Sequence, residues 1–228
     1  MRRRTTAVLV AMLAGMAVAT PAGAAPTAPS EVLVSVVADE APPVSGQAVS
    51  FEAALVSAGN PVAGATLTLM GSPWGTSGYA PLASTTTDST GAGHLAAVLR
   101  STTRLYWSYA GDGVHEATQS PVFVQNVAAA VTAHLRAPSV RSHHRFVVVG
   151  RTSGRPGQRV SLWRGRVPAP LSDGAAPHRV ATGVVGADGR LRLTARFARP
   201  GTRTLFVKVA AGPANAAGYS RYLHVRVR

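Results

Sequence analysis

The chain contains no cysteine. That absence excludes a disulfide scaffold, a thiolate zinc site, an iron–sulfur cluster, a thiol nucleophile and a lipid-modified N-terminal cysteine. Aromatic residues are few, at 6%, and acids are outnumbered by bases, with 9 Asp+Glu against 23 Lys+Arg in 228 residues. No apolar run reaches the roughly 20 residues needed to span a bilayer. With 46% apolar residues the chain is too hydrophobic to remain disordered, and 23 Gly with 16 Pro argue against a helical bundle.

What is present begins with an address label. Arg2, Arg3 and Arg4 form a basic head, Ala7 to Ala19 is uncharged and apolar, Pro21 ends the stretch, and Ala22-Gly23-Ala24 supplies the small residues a signal peptidase accepts. Thr5 and Thr6 stand where a twin-arginine signal needs bulky apolar residues, so general secretion is expected, with residues 1–25 as the signal peptide. Cleavage after Ala24 removes three arginines and leaves 20 basic and 9 acidic residues, a net of +11. No second long apolar stretch, wall-sorting motif or C-terminal anchor follows. The expected product is secreted and extracellular, with no transmembrane segment.

Self-comparison reveals a period of about one hundred residues. Gly64 to Gly71 (GATLTLMG) matches Gly157 to Gly165 (GQRVSLWRG), Pro81 to Leu95 matches Arg179 to Leu193, and Arg104 to Gly111 matches Thr204 to Gly212. The offset is 93 at Leu69 and Leu162, 98 at Gly91 and Gly189, and 100 at Ser120 and Ser220. It changes where the second copy has the longer loop, Arg164 to Pro177, as a duplicated domain requires. The domains expected are 30–127 and 128–228, joined by the short apolar run Val127 to Val131, a stiff tether that would give an elongated rod.

Each copy reads as seven short strands. In the first they run near Val32–Ala38, Ala48–Val56, Ala65–Met70, Pro81–Thr87, Gly93–Arg100, Arg104–Ala110 and Gln119–Val127. In the second they run near Val131–Arg136, Arg145–Arg151, Gln158–Trp163, His178–Val185, Arg190–Phe197, Arg203–Ala210 and Tyr219–Arg228. Val49, Phe51, Ala53 and Leu55 alternate with polar or small residues, and Leu191, Leu193, Ala195 and Phe197 alternate with Arg190, Arg192, Thr194 and Arg196. Asp188-Gly189 and Ser89-Thr90-Gly91 predict hairpin turns, because glycine tolerates a positive φ. The fold class expected is all-β: two tandem immunoglobulin-like seven-stranded β-sandwiches after a signal peptide, with sheets about 10 Å apart.

Pro61-Val62-Ala63-Gly64-Ala65 opening a strand, Thr86-Thr87-Asp88 before the Gly91 turn, and Tyr109-Ala110-Gly111-Asp112 followed by Ser120 resemble the bacterial immunoglobulin-like repeat domains of secreted actinobacterial proteins. The resemblance covers most of residues 31–127. It is weaker in the second copy, where Ala210-Ala211-Gly212-Pro213 replaces the Tyr-Ala-Gly-Asp stretch and Ser220 is kept. It implies an extracellular role in adhesion, spacing, or carbohydrate and protein contact at the cell surface, and it implies neither catalysis nor site residues. Function argued from fold is association only.

Charge divides between the halves. Residues 25–126 hold Arg100 and Arg104 against seven acids, a net of −5, whereas residues 127–228 hold 17 Arg and Lys208 against Asp173 and Asp188, a net of +16. Arg190, Arg192, Arg196, Arg221, Arg226 and Arg228 are the candidates for binding an anionic partner, a wall polymer or lipid head groups, since guanidinium pairs bidentately with phosphate and carboxylate. Two other readings stand beside this one. The arginines are a solvated face, their strands belonging to opposite sheets, or the basic domain contacts the acidic domain of another copy. Nucleic acid is disfavoured, because strand-facing Arg is not interleaved with stacking aromatics.

No catalytic motif emerges, so the chain reads as non-enzymatic and without a cofactor. Ser77 and Ser153 miss the nucleophile-elbow spacing. The seven His lack metal-ligand spacing: His143 and His144 are adjacent on a loop, and His134 and His224 fall on strands whose wet face they share. Asp112 and Glu116 suggest a weak calcium or sugar contact, against the plainer reading of a turn at Asp112-Gly113. Trp74, Tyr79 and Trp163 are the candidate contact aromatics, for sugar stacking or protein contact, or else they cap the sandwich edge. Trp107 is expected in the core.

Overall fold

A computed structural model describes residues 28–35, 41–167 and 176–228. The expected signal peptide, the end of the first expected strand with Asp39 and Glu40, and Asp173 lie outside the described residues. Every regular element described is a strand.

The N-terminal elements are β1 (Ser30–Ser35), β2 (Ala48–Ser57), β3 (Asn60–Pro61), β4 (Thr66–Pro73), β5 (Ala80–Thr86), β6 (Ala92–Val98), β7 (Thr103–Tyr109), β8 (Thr118–Gln119) and β9 (Phe123–Gln125). One sheet pairs β2 with β1, β3 and β6, and the facing sheet runs β5-β4-β7, with β8 and β9 both on β7. The C-terminal elements are β10 (Val131–Leu135), β11 (Ser139–Val140), β12 (Arg145–Thr152), β13 (Arg159–Arg164), β14 (His178–Val184), β15 (Arg190–Arg196), β16 (Gly201–Val209), β17 (Gly218–Tyr219) and β18 (Leu223–Val227). They form a β10-β12-β15 sheet facing β14-β13-β16-β18-β11, with β17 on β16. The result is an all-β, immunoglobulin-like architecture.

The period-2 pattern has the consequence expected of it. Along β2, Val49, Phe51, Ala53 and Leu55 are buried, and along β15 every second residue is buried while its neighbours are exposed. Two apolar clusters result. Leu55, Leu67, Leu69, Leu105 and Trp107 lie in the first, and Val148, Val160, Leu162, Leu205, Val207 and Val225 in the second, all fully buried. Fully burying such a side chain is worth about 1.5–3 kcal/mol each.

Three details depart from the sequence reading. The last strand of each half is split, because Ser120 and Ser220 turn their hydroxyls onto the neighbouring strand and Pro121 has no N–H to offer. A short strand, β11, pairs in parallel with β18 after Pro138 has ended the path of β10. Gly91 and Gly189 do turn at φ 75° and 73°, but their turns are not hairpins. β5 and β6 lie in opposite sheets, as do β14 and β15, so each turn carries the chain across the sandwich.

The join between the halves is bonded on both sides. Ala128 N–H donates to the Pro43 carbonyl and Ser45 N–H to the Ala128 carbonyl, while Ala129 N–H donates to Ala216 and Ala216 N–H to Val127. Thr102 N–H reaches the Ala214 carbonyl at 2.8 Å. Gly218 is required here, because a Cβ at that position would collide with the Ala129 carbonyl oxygen.

Candidate anion-binding face

The β10-β12-β15 sheet turns Phe146, Val148, Leu191 and Leu193 inward. Alternation then sends Arg145, Val147, Val149 and Arg151 of β12 outward, together with Arg190, Arg192, Thr194 and Arg196 of β15. Thr132 and His134 of β10 and the following Arg136 complete the face; Arg136 continues the ladder, donating its N–H to Val147 O at 3.0 Å. Six guanidinium groups therefore share one outer surface.

Register fixes their arrangement. Arg145 stands opposite Arg196, Val147 opposite Thr194, Val149 opposite Arg192, and Arg151 opposite Arg190. On the other side of β12, His134 stands opposite Val149 and Thr132 opposite Arg151. One acid approaches, Asp188, whose Oδ2 lies 3.2 Å from Arg190 Nε and whose Oδ1 accepts the Arg190 N–H. Among the described residues no other ion pair is made by these arginines. An open depression of about 800 Å³ runs over Val149 and Gly150, with His134, Arg136, Arg151, Arg190 and Arg192 around it.

The six arginines singled out from sequence do not all gather here. Arg190, Arg192 and Arg196 do. Arg226 lies on β18 in the opposite sheet, with Arg221 and Arg228 flanking that strand. Arg136, Arg145 and Arg151 also belong to the face; for Arg145 and Arg151 the sequence signal is the shared parity of 145, 147, 149 and 151 on a single strand, whereas Arg136 follows β10 and shares none of it.

The aromatic candidates are dispersed. Trp74 is 46% exposed in the turn after β4. Tyr79 packs edge-on against Tyr106, with ring centroids 4.8 Å apart. Trp163 stacks parallel on the buried Phe206 at 6.4 Å and donates its indole N–H to Ser161 Oγ at 2.8 Å. Trp163 therefore serves the outer surface of the β13–β16 pair, away from the basic face. Trp107 is fully buried.

His134 and His224 are both exposed, but on β10 and β18 in opposite sheets, so they share no face. The Asp112 loop is closed on itself. Asp112 Oδ1 accepts the Val114 and His115 N–H groups at 2.7 Å, and Oδ2 accepts the Tyr109 hydroxyl at 2.8 Å and contacts His115 Nδ1 at 3.0 Å. The His115 ring, then the two backbone N–H groups and the Tyr109 hydroxyl, hold the Asp112 carboxyl well below the usual carboxylate range. Burial, followed by the bond to Asp112, pushes the Tyr109 phenol up to about 12. Among the described residues no three His, Asp or Glu come together as a metal-ion site. No helix among them is long and apolar enough to cross a membrane.

The molecule thus defined is an all-β, immunoglobulin-like protein with six arginines on the outer face of one sheet. No family model and no curated protein matches the chain. Among solved structures it is similar to the D0-D1 domain of intimin (14% identity, TM-score 0.31, covering 81% of this chain and 93% of that one). It is also similar to a C-terminal 282-residue fragment of intimin in complex with the intimin-binding domain of the translocated intimin receptor (13%, 0.42, 85% and 63%). A third similar structure is invasin, a bacterial integrin-binding protein (17%, 0.36, 86% and 39%).

Proposed function

We propose that the chain is a secreted, non-enzymatic bacterial protein of two tandem immunoglobulin-like domains, 30–127 and 128–228, related to the actinobacterial-type repeats. In this reading it acts as a binding or spacer module at the cell surface, and its second domain holds it to an anionic wall polymer. The observation that carries the reading is the β10-β12-β15 face, where six arginines meet one acid. A surface built only for solubility mixes both signs of charge. A field of one sign over a shallow depression attracts and concentrates a polyanion.

Incubation of the mature protein with purified bacterial cell walls tests this. Retention at low salt and release as ionic strength rises are expected. Retention that ignores salt removes the electrostatic foot. Turnover in a broad hydrolase screen, abolished by a single loop substitution, removes the non-enzymatic reading.

A further inference from the structure

The register of the basic face says more than its charge does. Arg145 and Arg196 are directly opposed at one end of the β12–β15 pair, and Arg151 and Arg190 at the other. Directly opposed side chains have Cβ atoms about 5 Å apart, and like charges there destabilise the sheet. Between the two pairs the strands carry Val147, Val149 and Thr194, with Arg192 the one long side chain. Arg151 lies six residue steps along the strand from Arg145, about 20 Å at roughly 3.3 Å per residue.

From this arrangement we infer that the face holds a linear oxyanion polymer lying along the strands, gripped at two points about 20 Å apart by paired guanidinium groups. The inference rests on the proposal that this face binds polyanions, and it adds the shape and minimum length of the ligand. Each Arg pair brings two forked donors to one anionic group, and that group removes the repulsion the empty pair carries. Asp188 shares Arg190, so the Arg151–Arg190 end is the weaker grip.

Two observations select the polymer over other polyanions. The two pairs are set about 20 Å apart along one strand direction, a spacing that an extended chain follows, and the open depression lies at the Arg151–Arg190 end. No Phe, Tyr or Trp stands at the paired outer positions of β10, β12 and β15, so nothing there stacks a nucleic-acid base.

The test measures binding of the full mature protein to inorganic polyphosphates of defined length and to oligogalacturonates of matched length. Orthophosphate, monomeric galacturonate and anionic lipid vesicles serve as comparisons, all at one salt concentration. Engaging the second grip becomes intramolecular once a chain spans both, so affinity is expected to step up on the order of 100-fold as extended length passes about 20 Å. The step appearing with phosphate chains, carboxylate chains or both identifies the anion and supports the inference. The double variants Arg145→Gln/Arg196→Gln and Arg151→Gln/Arg190→Gln should each lose the step and keep short-chain binding. Arg226→Gln/Arg228→Gln, on the opposite side, should keep the step.

A smooth rise with length, equal loss of the step in the Arg226/Arg228 variant, or vesicles binding as tightly as the long polymers would overturn the two-point grip while leaving polyanion binding intact. Absence of binding to every probe would remove the underlying reading as well.

Discussion

The Ser120 hydroxyl accepts the Trp107 backbone N–H at 2.9 Å, and the Ser120 N–H returns to the Trp107 carbonyl at 2.9 Å. One hundred residues later Ser220 makes the same two bonds with Val207, again at 2.9 Å. Each serine also donates its hydroxyl to the next residue's carbonyl, Pro121 in one case and Arg221 in the other. Two chain segments with one hydrogen-bond pattern at one offset are what the proposed duplication requires.

Both serines are buried, so removing either hydroxyl leaves a buried N–H without an acceptor. Ser120→Ala and Ser220→Ala should each cost about 1–3 kcal/mol. Denaturant unfolding measures this. A cost at one site and none at the other would contradict an equivalent role.

The Asp112 loop predicts a stability window in pH. The native Asp112 carboxyl releases its proton more readily than the unfolded one, so between the two pKa values the unfolded chain binds more protons. The stability it contributes is complete above about pH 4 and is lost as pH falls through the native value. Tyr109 works in the opposite direction. Its native phenol holds the proton longer, so its contribution is complete below about pH 10 and is lost as pH rises through about 12. Melting temperature followed against pH should lose part of its acid limb in Asp112→Asn and part of its alkaline limb in Tyr109→Phe. Unaltered limbs would contradict the assignment.

Gly218→Ala tests the join between the halves. The added methyl meets the Ala129 carbonyl oxygen, so either β17 or the join must move. Faster proteolysis around residues 127–130 is expected, together with a lower melting temperature. A variant cut no faster than the native chain would show that the bonds to Ala216 are not what holds the join.

The opposed arginines predict an inverse effect in the unliganded protein. Arg196→Thr removes one member of a like-charged pair facing Arg145 and should stabilise by about 0.2–1 kcal/mol at low salt. The gain should shrink at high salt. Thermal melts at two ionic strengths decide it, and a destabilised or salt-indifferent variant would mean that the pair is not repulsive.

Much of this fold is legible in the chain, because alternation has a local cause. Val49 to Leu55 and Leu191 to Phe197 each have only one dry side, so their burial follows without knowledge of any partner strand. The basic face is legible only in part. Arg190, Arg192 and Arg196 announce themselves on one strand, but their company with Arg145 and Arg151 depends on β12 pairing with β15 across some forty residues, which no local pattern specifies. The separation of Arg226 from them follows from the sandwich topology expected of the sequence, which puts the two strands in opposite sheets. The broken last strands are not legible, because a serine hydroxyl competes with the ladder for a backbone N–H, a contest that composition and spacing do not reveal.

The most direct measurement compares two charge-matched variants on purified cell walls across a salt series: Arg190→Gln/Arg192→Gln/Arg196→Gln, and Arg221→Gln/Arg226→Gln/Arg228→Gln. Each loses three positive charges, the first from the β10-β12-β15 face and the second from the opposite side. The account predicts that the first loses most of the salt-sensitive retention and the second keeps it. Equal loss in both would show that net charge, and not this face, holds the protein to its polymer.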